Sequence, residues 1–417
     1  MNFPIYLKTA FVKALVFSGS IVSVQVIALT FGVNVVGAYS VALSAVLLLS
    51  LFLRAGLPIL LLRSRVEIDF QKPEEQYKAL EYNLLTLQGR KILVLIVWCS
   101  LVAYLILLDL GDAIWFYLAL TPLSFAGAWL QLRSAYLKSN GQPVAASALD
   151  MGLMQLFLAG AVVMGGLFLK VQIPVLIFII VGCVFTGLSV YAVGAAQLPS
   201  TGLEKFASRS DQYKIMINAL LTFLYRNGYP LVFGVFISAQ HIGYFRLEER
   251  LAFTVSFIPL LVETVAMKDL IHGVKIYTGA KLLKLFAKYF FIALIPTIVA
   301  AASIAYAVST PIITRKLNIS PDTEWRYAVY LAAPLFTFIQ FSTLLLNLKG
   351  YFRTIALNMV IVFSVFFATS YFLYASNGLG GVRLAYLIAA ILSAFWVGFA
   401  TLYSVGITSQ DTQNPNN

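Results

Sequence analysis

Apolar residues in this chain come in runs of about 20, separated by short polar turns, and a helix needs roughly that length to cross a 30 Å hydrocarbon core. Twelve such runs are read as spanning helices. In the first half they cover residues 9–30, 36–62, 92–109, 113–132, 143–167 and 172–194, and in the second half 215–236, 242–266, 289–308, 327–346, 354–375 and 384–406. The stretch from Asn218 to Met267 breaks the pattern. It reads as two apolar helices joined by the turn Ser238 to Gly243, with Arg226 at the middle of the first and Arg246, Glu249 and Arg250 at i, i+3 and i+4 on the second, so that these three share one face. A charge at the centre of a membrane helix costs roughly 2.5 to 3.5 kcal/mol, so such groups are expected to face a polar interior.

Composition agrees with the pattern. Hydrophobic residues make up 60% and charged residues 11% of the 417 positions, and the mean hydropathy is +0.88. A soluble domain carries about 25% charged residues, so the expected class is an all-α polytopic membrane protein. Of the 29 Lys and Arg, 20 fall on one side of the expected membrane, 5 on the other (Lys170, Arg315, Lys316, Arg326, Arg383) and 4 inside spans (Arg54, Arg226, Arg246, Arg250). The rich side is expected to be cytoplasmic, with both termini on it. The net charge of +12 is then mostly topology, not a nucleic-acid surface. Cys99 and Cys183 have no metal-type spacing and read as apolar filler. The closest approach to a phosphate-cradling loop, Gly273 to Lys281, has the wrong glycine spacing, and His241 and His272 form no metal motif. No cofactor is expected, apart from H⁺ or Na⁺ as a coupling ion for secondary transport.

Residues 198–211 are polar, contain Pro199 and Gly202, and read as a cytoplasmic linker between six-helix bundles at 1–197 and 212–406, with a polar tail at 407–417. An offset of 206 lays Val36-Gly37-Ala38-Tyr39 over Ile242-Gly243-Tyr244-Phe245. Because each half has six spans, the halves are expected to be parallel repeats about an axis along the membrane normal, with a cavity between them. Lys281, Lys284 and Lys288 recur at helical spacing before the ninth span and favour anionic headgroups.

Arg226 lies about 15 Å and Glu249 about 10 Å below the outer ends of their helices, so the two are expected to meet at similar depth. Arg226, with Arg250 or Arg246, would form a cationic lumen for an anionic headgroup, and Glu249 would neutralise it between cycles. The alternative is a purely structural interhelical ion pair. Arg54, near the inner end of the second span, either joins the lumen or snorkels to headgroups. Asp150 and Glu249 are the candidate ion-coupling carboxylates, and Glu263 is expected to pair with Lys268.

The run from Gly234 to Ala252, GVFISAQHIGYFRLEERLA, resembles the seventh-to-eighth helix region of Wzx-type polysaccharide and O-antigen flippases, members of the multidrug/oligosaccharidyl-lipid/polysaccharide (MOP) exporter superfamily. The first half echoes it in Phe31 to Ser40 and in Leu53-Arg54-Ala55-Gly56-Leu57-Pro58, and residues 131–155 resemble the family's fourth-to-fifth helix connection. The resemblance implies a MATE-like, V-shaped pair of six-helix bundles in the bacterial inner membrane. It also implies movement of undecaprenyl-pyrophosphate-linked oligosaccharide from the cytoplasmic to the periplasmic leaflet by alternating access. Membrane lipids and the glycosyltransferases and polymerase of the same pathway are the implied partners. Glu248 and Glu249 beside Arg250 depart from the commoner family pattern and bear on the sign of the cavity. Two other classes stay open: a cation-coupled drug or metabolite antiporter of the same superfamily, and an integral-membrane polymerase or ligase, for which the long outer loop expected of such an enzyme is lacking.

Overall fold

The computed structural model describes residues 3–54, 56–59, 61–62, 84, 91–109, 112–149, 152–168, 174–194, 215–217, 219–221, 223–224, 227–277 and 279–411. Among them every regular element is helical. The first half contains α1 (Phe3–Phe31), α2 (Val33–Arg54), α3 (Lys91–Leu108), α4 (Ala113–Leu120), α5 (Pro122–Ser139), α6 (Pro143–Ala148), α7 (Gly152–Val162, continued by a π turn Val163–Phe168) and α8 (Pro174–Gly194). The second half contains α9 (Tyr229–Phe233), α10 (Ala239–Val255), α11 (Phe257–Ile276), α12 (Gly279–Ala307), α13 (Pro311–Lys316), α14 (Arg326–Leu348) and α15 (Phe352–Asp411). Five of these, α2, α3, α12, α14 and α15, are long and apolar enough to cross a membrane, and the bent pairs α4–α5 and α10–α11 qualify as two more. Large apolar side chains face outward along them, including Leu107, Tyr306 and Phe395, as a hydrocarbon solvent allows.

The helix breaks have local causes. Pro122 has no N–H to continue the ladder from α4, and the chain turns by 51° there. The expected turn from Ser238 to Gly243 contracts to Ser238 alone, whose hydroxyl accepts from the His241 N–H (3.4 Å) and caps α10. The α10–α11 bend of 44° falls at Ser256, three residues before Pro259. In α15 the only non-helical backbone is Gly378 (φ 53°, ψ −134°), so the expected eleventh and twelfth spans are two legs meeting at one glycine. The second leg runs to Asp411, past the start of the expected tail at 407, because no proline interrupts that stretch. The linker at 198–211 lies outside the described residues.

Within the first half α2 packs on α1, α3, α4 and α5, while α8 lies against α4 and α5. In the second half α14 lies between α12 and α15. The halves meet along a seam in which α2 lies on α9 and α10, α1 on α10 and α11, and α11 on α5 and α6. The seam is tightest near the start of α2 and α10. A methyl group on Gly37 would overlap the Ala239 carbonyl, 2.6 Å from its carbon, and one on Gly243 would overlap the Val33 carbonyl oxygen. Gly37 and Gly243 are 206 residues apart, and so are Val33 and Ala239. The contact is therefore reciprocal, each glycine receiving the backbone of the residue four before its counterpart. This is the geometry of a two-fold axis passing between the helices, and it needs small residues for backbones to approach.

Candidate functional site

Just below that crossing α10 brings its charged face to the seam. Arg246, Glu249 and Arg250 are 1%, 4% and 5% exposed. The spacing that put them on one face in the sequence brings them together in space: Arg246 Nη1 donates to Glu249 Oε2 at 2.8 Å, and Arg250 Nε lies 3.9 Å from the same oxygen. The ion pair is within one helix, at i and i+3, so it is not an interhelical tie. Tyr229 supplies the cross-helix link. Its hydroxyl donates to Glu249 Oε2 (3.2 Å) and accepts from Arg246 Nη1 (3.2 Å), while the Arg246 guanidinium lies 5.7 Å from the centre of its ring. Phe233, Phe245 and Phe366 pack around that ring and keep the site dry.

The cluster is cationic. Among these three groups two guanidiniums share one carboxylate, and two buried donors are left without a hydrogen-bond partner, Arg246 Nη2 and Arg250 Nε. Tyr39 comes from α2, across the seam, with Ser23 of α1 beside it, and lies within electrostatic reach of both arginines. An unfilled donor in a dry site costs about 1 to 3 kcal/mol, more when charged. The arrangement therefore favours a group that brings acceptors and negative charge, and an oxyanion does both.

The seventh segment beside it is irregular. Its turn at Asn227 and Gly228, followed by Pro230, frees main-chain carbonyls from helical pairing, and hydroxyls of the first half take them up. Ser44 Oγ donates to Asn227 O and Tyr104 Oη to Leu231 O, each at 2.6 Å. Broken helix at membrane depth is tolerated where protein lines it.

Of the other residues marked in the sequence, Arg226 and Asp150 lie outside the described residues. Arg54 is the last residue of α2, about 22 Å along that helix from Tyr39, and is not part of the cluster. Glu263 takes its hydrogen bond from Gln340 of α14, not the expected contact with Lys268. Tyr39 and Tyr229 were missed because a tyrosine in an apolar run reads as filler; only the repeat containing Gly37 and Tyr39 hinted at the first.

A second buried cluster was also missed. Arg383, counted in the sequence as an outer-loop charge, is fully buried in the second leg of α15. Its Nε and Nη2 donate to the Glu248 carboxylate at 2.8 and 2.6 Å, and its Nη1 donates to Asp322 Oδ2 (3.2 Å) and Glu324 O (2.7 Å). Arg326, likewise counted outside, is buried and donates to Ser320 O (2.6 Å) and Asp322 O (2.8 Å). The adjacent carboxylates of α10 thus divide their work. Glu248 ties the helix to the second half, whereas Glu249 serves the seam.

No family model and no curated protein matches this chain. Solved structures share its fold. The MATE multidrug transporter DinF-BH, solved as a ligand complex, is 15% identical over 96% of this chain and 96% of its own, with a TM-score of 0.68. A point variant of the Vibrio cholerae MATE transporter VcmN is 13% identical over 96% and 95%, TM-score 0.63. A MOP superfamily transporter from Pyrococcus furiosus, whose binding pocket is described as reversed in polarity, is 14% identical over 95% of each chain, TM-score 0.62. At these identities the likeness establishes an all-helical, multi-pass, MATE-like fold.

Proposed function

We propose that this chain is a transporter, not an enzyme, and that it moves an amphiphile with an anionic headgroup, a lipid-linked oligosaccharide, between leaflets of a bacterial cytoplasmic membrane. The observation that carries this reading is the cationic excess at the seam, where Arg246 and Arg250 share Glu249 and leave buried donors facing Tyr39 of the other half. In this mechanism the headgroup phosphate accepts from Arg250 Nε, Arg246 Nη2 and the Tyr39 hydroxyl. Arg226 adds a further positive charge, matched to a doubly charged pyrophosphate. The sugar follows into the seam and the polyprenyl tail stays in lipid. When the headgroup leaves, Glu249 again holds both arginines, which lowers the cost of the empty state. Rocking of 1–197 against 212–406 exchanges access, with Glu249 or Asp150 as the site for a coupling H⁺ or Na⁺. Glycosyltransferases and a polymerase of the same pathway are the proposed partners.

A cation-coupled small-molecule antiporter is the second reading, favoured by the fold neighbours whose names describe multidrug transport. The two separate in proteoliposomes given a proton or Na⁺ gradient and either a fluorescent undecaprenyl-pyrophosphate oligosaccharide or a cationic dye. Wild type is expected to move the lipid, Arg250→Ala to lose that movement while remaining folded, and Arg250→Lys to retain part of it. Movement of the dye but not of the lipid overturns the flippase reading in favour of the antiporter.

A further inference from the structure

The first turns of α12 carry Lys281, Lys284 and Lys288, all exposed. At 3.6 residues per turn they fall within an arc of about 60° and span about 10 Å along the axis. The buried residues Leu282, Phe286, Tyr289 and Ala293 occupy the other side, where α12 packs against α11 and α14. Farther up the helix the lysine face turns apolar and stays bare. Phe291, Ile292, Ile295, Val299 and Tyr306 continue the same face at exposures of 54%, 41%, 62%, 62% and 78%. The helix has no acidic residue to answer its lysines. Asp269, the nearby carboxylate on α11, is held by the Tyr289 hydroxyl at 2.6 Å.

We propose that this face of α12 is a binding site for an anionic phospholipid. One face presents three cations over a length comparable to the headgroup layer, and then an uncovered apolar surface. An acyl chain lies along Phe291, Ile292, Ile295 and Val299, while the headgroup phosphate and any second acidic group sit among Lys281, Lys284 and Lys288. The Lys288 ammonium also lies 5.5 Å from the Tyr289 ring centre, which keeps it near the helix at the boundary between the two zones. A soluble acidic partner would match the lysines but not the apolar surface above them, so the amphiphile fits better. The site does not depend on what the seam carries.

The full chain in nanodiscs of mixed phosphatidylglycerol and phosphatidylcholine tests this, with co-purifying lipid counted by native mass spectrometry. Wild type is expected to enrich phosphatidylglycerol, and enrichment is expected to fall by roughly fivefold for each lysine replaced in a Lys281→Gln, Lys284→Gln, Lys288→Gln series. Arg315→Gln with Lys316→Gln, on α13 beyond the other end of α12, should leave it unchanged, and a Lys→Arg triple variant should preserve it and report on folding. Equal enrichment in wild type and the triple glutamine variant overturns the proposal. So does displacement of the lipid by soluble polyglutamate, which would make the face a protein-docking surface.

Discussion

Gly37→Ala and Gly243→Ala test the reciprocal crossing of α2 and α10. A methyl at Gly37 would lie 2.6 Å from the Ala239 carbonyl carbon and 3.0 Å from its Cα, and one at Gly243 would lie 2.8 Å from Val33 Cγ1 and 3.2 Å from the Gly37 nitrogen. Ordinary contacts begin near 3.4 Å, and the obstructing atoms are mostly main chain, so no flexible side chain can give way. The nearest obstructing atoms are the two carbonyl oxygens, so each substitution must push the helices apart by more than about 1 Å, and overpacking of that kind costs about 1 to 3 kcal/mol. Both clashes are relieved by the same separation. The double variant should therefore lose less stability than the two single losses added together, with a coupling of about 0.5 kcal/mol or more. Thermal unfolding in one detergent, run as a double-mutant cycle, reads this directly. Gly160→Ala is the control: no atom lies within 4 Å of its added methyl, and helix propensity favours alanine by up to about 1 kcal/mol. Strict additivity of the two crossing variants, or a neutral Gly37→Ala, would refute the reasoning.

Arg246 and Arg250 should behave differently although they sit one turn apart. Arg246→Ala removes the cation bonded to both Glu249 and Tyr229 and should destabilise the fold by about 3 to 5 kcal/mol, whereas Arg250→Ala, which loses a 3.9 Å ion-pair contact and a place 5.7 Å from the Phe253 ring centre but no direct hydrogen bond, should cost less; unfolding midpoints for the two variants check the order. Arg383→Ala strands Glu248 in a buried site and is expected to cost about 3 to 5 kcal/mol, while the pair Glu248→Leu with Arg383→Leu should recover much of that loss in the same measurement.

The fold was legible because a hydrocarbon solvent writes its demand directly into the sequence: long apolar runs must become helices, since only helices pair their own main-chain groups. Described helix lies over each of the expected runs. What local pattern does not carry is where a run breaks and which way a charge turns. Pro122 and Ser256 bend helices that read as continuous, and Ser238 shortens to a cap what read as a six-residue turn. Arg383 illustrates the limit most clearly. Counting basic residues near helix ends placed it in an outer loop, but its position is set by Glu248, far away in the chain, and by the carbonyls of the segment around Asp322.

The charged face of α10 was legible from spacing alone, because i, i+3 and i+4 fix a shared direction whatever the neighbours are. Its partners were not, because Tyr39 and Tyr229 reach it from other helices through contacts that only packing creates. The glycine crossing joins these two kinds of information. A four-residue match at an offset of 206 is weak as sequence, since short apolar words recur by chance. As backbone geometry it is strong, because each glycine receives the carbonyl of the residue four before the other glycine, and those two residues are themselves 206 apart. The same operation sets Tyr39, two residues past Gly37, opposite the face that begins at Arg246, three residues past Gly243. The axis of the two halves and the cationic site are therefore one structural feature. A substitution that shifts the crossing should disturb the Tyr39 side of the site before it disturbs the Arg246–Glu249 pair, which α10 holds by itself.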